Sequence, residues 1–233
     1  QTIRLEKLEI AESAQEIRAF LKQLLEANPF QKGKVKLVFH YPGEKDQGSY
    51  NFLFYFTDFA FPGDKQYLAG VRMGICKAVR TDPNAKVLNT EARRVADQKL
   101  SETGLFEMLL MDEDGYITEG SRSNIFFVKN QVLFTPPDEN VLKGIARQNV
   151  LTICKEQDIP VEVRPIHSSE LSGFQASFLT GTSLKVLPVQ QIDGYSYKVD
   201  EPLLHTLQAS YDQKILEYIK RQTSGYISPG DGT

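Results

Sequence analysis

The chain has 233 residues, of which 41% are hydrophobic and 24% are charged, and its formal net charge is −3. A chain of this length and composition forms one or two compact globular domains. Its slightly negative charge gives no electrostatic reason to expect a nucleic acid or an anionic membrane as a partner, and no apolar run approaches the roughly 20 residues that cross a bilayer. Two cysteines without metal-ligand spacing, Cys76 and Cys154, favour reduced thiols and a cytoplasmic location.

The first predicted element is a helix that begins after Ser13. Ser13 and Glu16 have the spacing of a capping box, and Asn28-Pro29 ends the helix. The apolar residues between them recur at helical spacing; they are Ile17, Phe20, Leu21, Leu24 and Leu25. Two strands, Lys34–His40 and Asn51–Thr57, are predicted to follow, joined by a polar loop.

The sequence Pro62-Gly63-Asp64 is the best candidate for a linker. We therefore predict a small N-terminal domain over 1–59, a linker over 60–66, a larger domain over 67–222 and a flexible tail over 223–233. In the larger domain, strands are predicted over 71–79, 105–111, 116–119, 123–128, 131–134, 161–164, 178–180 and 187–189. Helices are predicted over 89–103, 145–157 and 202–221, which makes the fold class α+β.

The residues that could take part in chemistry are few. The sequence has no nucleophile elbow, no Walker loop and no metal-ligand cluster, and its three histidines are scattered. Lys86 lies between a predicted strand and a predicted helix, and Glu119 ends a strand before a run of small residues. Gly144 precedes a predicted helix whose first N–H groups can bind an anion such as a phosphate ester. The hydroxyl-bearing pair Thr182-Ser183 can donate further hydrogen bonds to the same anion. Taken singly, each of these residues also has an ordinary structural interpretation, because most lysines are solvated and a carboxylate can cap a turn.

Together these residues resemble a known family. Residues 116–126, Tyr-Ile-Thr-Glu-Gly-Ser-Arg-Ser-Asn-Ile-Phe, are similar to the signature of the class IV, fold-type IV, pyridoxal-phosphate (PLP) enzymes. Three further segments match in the family's order, over 86–89, over 134–147 and over 180–189. The family includes branched-chain aminotransferases, D-amino-acid aminotransferases and 4-amino-4-deoxychorismate lyases. The resemblance implies a two-domain fold whose larger domain has a mostly antiparallel β core.

The resemblance also implies a role for each matched residue. Lys86 corresponds to the lysine to which PLP is covalently attached, which then moves a proton between the substrate and the cofactor. Glu119 corresponds to the acid that faces the pyridine nitrogen and keeps it protonated. Leu142 corresponds to the apolar residue packed on the face of the ring. The residues that match the phosphate-binding cup are Gly144, Ile145, Ala146, Thr182 and Ser183. Asn124 and Arg147 also match the family's motifs, and we interpret both as mainly structural.

The chain departs from its relatives at several positions. Ala146 stands where many relatives have a hydroxyl, a loss that some lyases of the family share. Arg122 replaces a small residue, and it either narrows the site or supplies a contact to the substrate. The residues after Lys86 lack the tyrosine of branched-chain enzymes, and the loop over 41–49 lacks the Arg-x-His pattern of D-amino-acid enzymes. Neither of these substrate specificities is therefore supported.

A further departure concerns the start of the chain. Relatives have additional residues before the point that matches Gln1. These include strands of the small domain and a phosphate-binding arginine in a His-x-x-Arg-Leu motif. We therefore expect the small domain to be incomplete, with the sequence forming part of a longer protein.

The function expected from the resemblance is that of a homodimeric PLP-dependent aminotransferase. It would transfer an amino group between a small amino acid and a 2-oxo acid, with no nucleic acid and no membrane among its partners. A lyase of the 4-amino-4-deoxychorismate lyase type is an alternative, because such an enzyme uses the same lysine and the same cofactor. A relative that has lost catalysis and retains only the fold is a second alternative.

Overall fold

The computed structural model describes residues 10, 12–28, 33–40, 50–57, 61–80, 83–85 and 91–224. The polar loop over 41–49, Lys86 and the end of the predicted tail over 225–233 lie outside these residues. The chain divides into two compact units, Gln1–Phe61 and Pro62–Thr233.

The first unit contains helix α1 and a pair of strands. Helix α1, Ala14–Ala27, has the predicted capping box, in which the Ser13 hydroxyl accepts from the Glu16 amide and the Glu16 carboxylate accepts from the Ser13 amide. Strands β1, Lys34–His40, and β2, Asn51–Thr57, pair antiparallel with Lys34 opposite Thr57. The described part of this unit packs mainly through aromatic rings, among them Phe20, Phe39, Phe52 and Phe54.

The second unit is built on a ten-stranded mixed sheet. Its strands are β3 Val71–Lys77, β4 Glu107–Met111, β5 Tyr116–Gly120, β6 Asn124–Lys129, β7 Val132–Thr135, β8 Val161–Val163, β9 Ile166–His167, β10 Ala176–Gly181, β11 Lys185–Ile192 and β12 Tyr195–Ser196. Their order across the sheet is β8-β7-β6-β10-β11-β3-β4-β5-β9, and β12 pairs with β11. Three neighbouring pairs are parallel, namely β11–β3, β3–β4 and β7–β8, and the other pairs are antiparallel. The prediction of a mostly antiparallel core is therefore confirmed.

Helices cover the sheet because its strands are apolar on both faces. The helices of this unit are α2 Asp64–Ala69, α3 Glu91–Thr103, α4 Ile145–Glu156 and α5 Pro202–Ser224, with a 3-10 helix over Ser168–Gly173. Successive residues of a strand point to opposite faces, and in β10 Phe178 packs with side chains of α4 and α5 while Leu179 belongs to a second cluster with β3 and β4. Within the described part of the chain, no helix is both long and apolar enough to cross a membrane.

Most predicted elements of this unit are found within a few residues of their predicted bounds, and the α+β fold class is confirmed. The hairpin turn is shifted by one residue from the predicted Lys129-Asn130. Asn130 and Gln131 both have positive φ angles, of 51° and 61°, which matches the twist of adjacent strands in a two-residue hairpin. Four short elements were not predicted; they are α2, β9, the 3-10 helix and β12. Helix α5 continues to Ser224, three residues beyond its predicted end.

Candidate functional site

Glu119 is the buried acid at the centre of the candidate site. It lies near the end of β5 and is 2% exposed. Its Oε2 accepts hydrogen bonds from the Asn124 side-chain amide and from the Leu142 backbone N–H, both at 3.1 Å. Its Oε1 accepts no hydrogen bond from any described residue, although Arg80 Nε lies 3.0 Å away. Two hydrogen bonds therefore hold Oε2, whereas Oε1 is held only by its ion pair with Arg80.

The charge on Glu119 is sensitive to its surroundings. Burial raises its pKa to about 7, against the opposing effect of the Arg80 guanidinium and the Leu142 amide, while the negative charge of Glu107 raises it further. A positive group placed against Oε1 would favour the ionised carboxylate. Arg80 was not singled out from the sequence, because nothing in the local pattern around it indicates a partner 39 residues away.

Asn124 joins Glu119 to the segment before α4. Its side-chain amide donates both to Glu119 and to the Leu142 carbonyl, the latter at 2.8 Å. Its Oδ1 lies 2.4 Å from the place that a Cβ on Gly144 would take, too close for any side chain, so only glycine allows this approach. Asn124 thereby brings together three predicted site residues, Glu119, Leu142 and Gly144.

The start of α4 presents backbone amides. Gly144 is the N-cap and provides no side-chain cap, and the first helical hydrogen bond runs from the Gln148 N–H to the Gly144 carbonyl at 3.0 Å. The amides of Ile145 and Ala146 precede that bond and point out of the helix end, where an anion is favoured. An open groove of about 1050 Å³ lies between α4 and α5, and Ile145, Ala146 and Thr182 line it. Three of the residues matched to the phosphate cup therefore share one surface.

Thr182 and Ser183 form the turn between β10 and β11. The Leu184 N–H donates to the Gly181 carbonyl at 3.0 Å and closes this turn. Thr182 is exposed, whereas Ser183 is half-buried and is not among the residues that line the groove.

Arg147 holds the segment that leads into α4. It is fully buried, and it donates to the Asp138 carboxylate at 2.6 Å and to the Pro136 carbonyl at 2.9 Å. The Asn84 side-chain amide donates to the Asp138 carbonyl at 3.3 Å, so residues 83–85 are joined to the same segment. The next residue in sequence, Lys86, is outside the described residues, and its role as the attachment point for PLP stays a prediction.

The Arg122 side chain pairs with an acid on α3. Its guanidinium donates to the Asp97 carboxylate on α3 at 2.8 Å and is about half exposed, and Arg93 donates to the same carboxylate. The two arginines lower the pKa of Asp97 in spite of its partial burial. The suggested contact between Arg122 and a substrate stays a prediction.

A second buried acid, Glu107, lies below the turn that follows Glu119 and is 1% exposed. Glu107 was not predicted as a site residue, although a carboxylate within the apolar run Phe-Glu-Met-Leu-Leu-Met is a recognisable signal, because a buried charge needs partners. No group of three His, Cys, Asp or Glu side chains that could hold a metal ion is found among the described residues.

These residues fit the requirements of PLP. Glu119 Oε1, which is paired only by charge with Arg80, and the buried Thr180 hydroxyl make no hydrogen bond with a described residue, so each can still form one with a bound group. The pyridine nitrogen needs an anionic partner, which Glu119 can supply, and the phosphate needs amide donors, which the start of α4 can supply.

Comparison with known proteins identifies the family. Residues 2–192 match the family model described as amino-transferase class IV. The D-alanine aminotransferase of Bacillus licheniformis is 34% identical over 134 residues, which cover 56% of this chain and 47% of that protein. A Thermotoga maritima structure assigned to a branched-chain amino acid aminotransferase has 29% identity and a TM-score of 0.78, covering 92% of this chain and 77% of that one.

A third similarity is to a Legionella pneumophila structure assigned to 4-amino-4-deoxychorismate lyase. It has a TM-score of 0.80 at 19% identity, covers 91% of this chain and 81% of that one, and shows the fold alone. The matched segments span about two fifths to one half of the length of the curated relatives. With a family model that matches most of its length, the chain belongs to the class IV aminotransferases and has their fold-type IV architecture.

Proposed function

We propose that this protein is a PLP-dependent aminotransferase that transfers an amino group between a small amino acid and a 2-oxo acid. PLP is the cofactor of class IV aminotransferases. The observation that carries the proposal is the buried Glu119 carboxylate, whose Oε1 accepts no hydrogen bond from a described residue. Asn124 links this carboxylate to the start of α4, so the two cofactor contacts belong to one hydrogen-bonded unit.

Each proposed residue has a separate task. PLP, when bound, supplies a ring that accepts electrons from the substrate. Glu119 holds a negative charge against the pyridine nitrogen, and Leu142 packs on the ring. The amides of Ile145 and Ala146, with Thr182 and Ser183 beside them, hold the phosphate. Lys86 supplies the amine for covalent attachment and moves a proton at the substrate α-carbon.

We also propose the substrates, the oligomeric state and the location of the protein. The amino-acid and 2-oxo-acid substrates are those of the class, and Arg122 is a candidate contact to one of them. We propose a homodimer, because the small domain of one subunit closes the site of the other in the family. We propose a cytoplasmic location, with which two buried cysteines that form no disulfide, Cys76 and Cys154, are consistent.

A half-reaction tests this function. The PLP-loaded protein is mixed with one candidate amino acid and no acceptor, and the 2-oxo acid released is measured. We expect about one 2-oxo acid per active site, because the amino group stays on the enzyme until a second substrate removes it. Lys86→Ala should abolish the release, whereas Lys99→Ala, which changes an exposed lysine of α3, should leave it intact. No release with any amino acid tried would contradict the proposal.

The lyase is the second candidate function, because Ala146 lacks the hydroxyl that some lyases of this family also lack. A lyase regenerates its cofactor in every cycle, so it releases many product molecules per site without a 2-oxo-acid acceptor. Pyruvate formed in excess over protein from 4-amino-4-deoxychorismate would therefore favour the lyase. Release that stops at one equivalent and resumes when a 2-oxo acid is added would favour the aminotransferase.

A further inference from the structure

Two buried carboxylates flank the turn over residues 120–123. Glu119 precedes the turn, and Glu107 lies at the start of β4, the strand that pairs with β5. Glu107 is 1% exposed, and burial raises the pKa of its carboxyl group. The proposed chemistry uses Glu119 and leaves Glu107 without a task.

Both hydrogen bonds that hold Glu107 end on a single oxygen. Its Oε1 accepts from the Arg122 backbone N–H at 2.5 Å and from the Ser123 hydroxyl at 2.9 Å. A Cβ on Gly120 would lie 2.5 Å from the same oxygen, so this approach depends on glycine. Glu107 therefore holds the second half of the turn by hydrogen bonds to Arg122 and Ser123 and lies close against its first residue, Gly120.

Two arginines hold the other side of the same turn. The Ser121 carbonyl accepts from Arg80 at 3.2 Å and from Arg93 at 3.3 Å. Arg80 also lies 3.0 Å from Glu119 Oε1. The position of the turn consequently decides where Glu119, its partner Asn124 and its counter-ion lie relative to one another.

We propose that Glu107 is a positioning residue that orients Glu119 towards the pyridine nitrogen of the cofactor by holding the turn over 120–123. The inference rests on the proposed function, because it assumes that Glu119 faces PLP. The charged groups that face Glu119 are Arg80, Glu107 and Arg147. The charged groups that face Glu107 include Arg122 and Arg93, and their positive charges lower its pKa against the larger effect of burial, which raises it.

Substitution of Glu107 separates its geometry from its charge. In Glu107→Gln the side-chain carbonyl oxygen can accept both hydrogen bonds, so the turn is kept while the charge is removed. Glu107→Ala removes both bonds. Glu201, a buried acid that accepts from Gln131, provides the matched control as Glu201→Gln and Glu201→Ala.

Two measurements are made on each variant. One is the affinity for PLP, and the other is the titration of the Glu119 carboxyl by carbon-13 NMR in cofactor-free protein, assigned with Glu119→Gln. We expect Glu107→Gln to keep PLP affinity within about threefold and to lower the pKa of Glu119, because a like charge is removed. Glu107→Ala should weaken PLP binding about tenfold or more, as loss of two buried hydrogen bonds predicts. The Glu201 variants should change neither quantity.

Unchanged PLP affinity in Glu107→Ala together with an unchanged titration of Glu119 would overturn the proposal. If Glu107→Ala does not fold, Ser123→Ala removes one of the two bonds, and we then expect a change of about threefold in PLP affinity. No change in Ser123→Ala and no change in the Glu119 titration of Glu107→Gln would also overturn it. If wild-type protein binds no PLP, the proposed function fails, while the titration in cofactor-free protein still decides whether Glu107 controls Glu119.

Discussion

We expect Glu119 to make the free energy of unfolding depend on pH. Burial raises the pKa of this acid to about 7 in the folded protein, from 4.5 for an ordinary glutamate. Because the pKa is raised, the folded protein binds the proton more tightly than the unfolded chain does. Glu119 therefore contributes stability below about pH 4.5, and this contribution is lost as the pH rises through about 7. At about 1.4 kcal/mol per pH unit, the loss amounts to about 3 kcal/mol.

Glu119→Gln removes this titration and keeps the shape of the side chain. The glutamine oxygen can still accept from Asn124 and Leu142, so the hydrogen bonds on that side remain. Urea unfolding of cofactor-free wild type and variant, followed from about pH 5 to about pH 8.5, gives the difference in their free energies of unfolding. We expect wild type to lose about 2.5 kcal/mol relative to the variant over this range.

An exposed acid provides the control for this experiment. Glu91 pairs with Arg94 at the start of α3, and the hydrogen bond from Arg94 lowers the pKa of Glu91. Its contribution is therefore present above the ordinary glutamate pKa and lost below it, so Glu91→Gln should give a nearly flat difference over the same pH range. A flat profile for Glu119→Gln, or one in which wild type gains stability as the pH rises, would refute the reasoning about burial.

Two further substitutions test the segment around α4. Arg147→Ala should reduce the free energy of unfolding by about 3 kcal/mol, because it leaves a cavity and removes the hydrogen bonds to the Asp138 carboxylate and the Pro136 carbonyl. Arg94→Ala, which removes an exposed ion pair, should reduce it much less. Equal losses of unfolding free energy in the two variants would contradict the structural role of Arg147. Ala146→Ser should tighten PLP binding by up to about tenfold, since it adds a hydroxyl beside the amides that face the phosphate. Ala209→Ser places a hydroxyl elsewhere in the same groove and should leave PLP affinity unchanged; the same gain from both substitutions would argue against a phosphate at the start of α4.

The local sequence predicts those elements that have a strong pattern of their own. The capping box at Ser13 and the apolar periodicity of α1 are sufficient to define its start, and the glycine before Ile145 defines the start of α4. Helix α2 was not predicted, because its six residues are too few to show a helical pattern. Contacts with distant residues stabilise it, such as the hydrogen bond from the Tyr67 hydroxyl to the Leu184 carbonyl.

In the candidate site, too, residues within a local motif could be predicted and residues that depend on distant partners could not. Glu119 and Gly144 could be proposed as site residues from the sequence because a motif of contiguous residues contains each of them. Arg80 and Glu107 were missed, because their importance comes from partners on other strands and turns. Sheet pairing, which aligns Leu109 with Gly120, decides that Glu107 lies beneath the turn after Glu119. Such long-range pairing cannot be obtained from the residues around either acid.

Borohydride reduction tests most directly whether Lys86 holds PLP. The PLP-loaded protein is reduced, digested and mapped by mass spectrometry. An amine held beside the aldehyde with a lowered pKa reacts specifically, whereas exposed lysines are mostly protonated and react weakly. We predict a single strong label on Lys86, which Lys86→Ala abolishes. A label on Lys77, Lys99 or Lys143 with Lys86 unmodified would contradict the claim and the site assignments that depend on it.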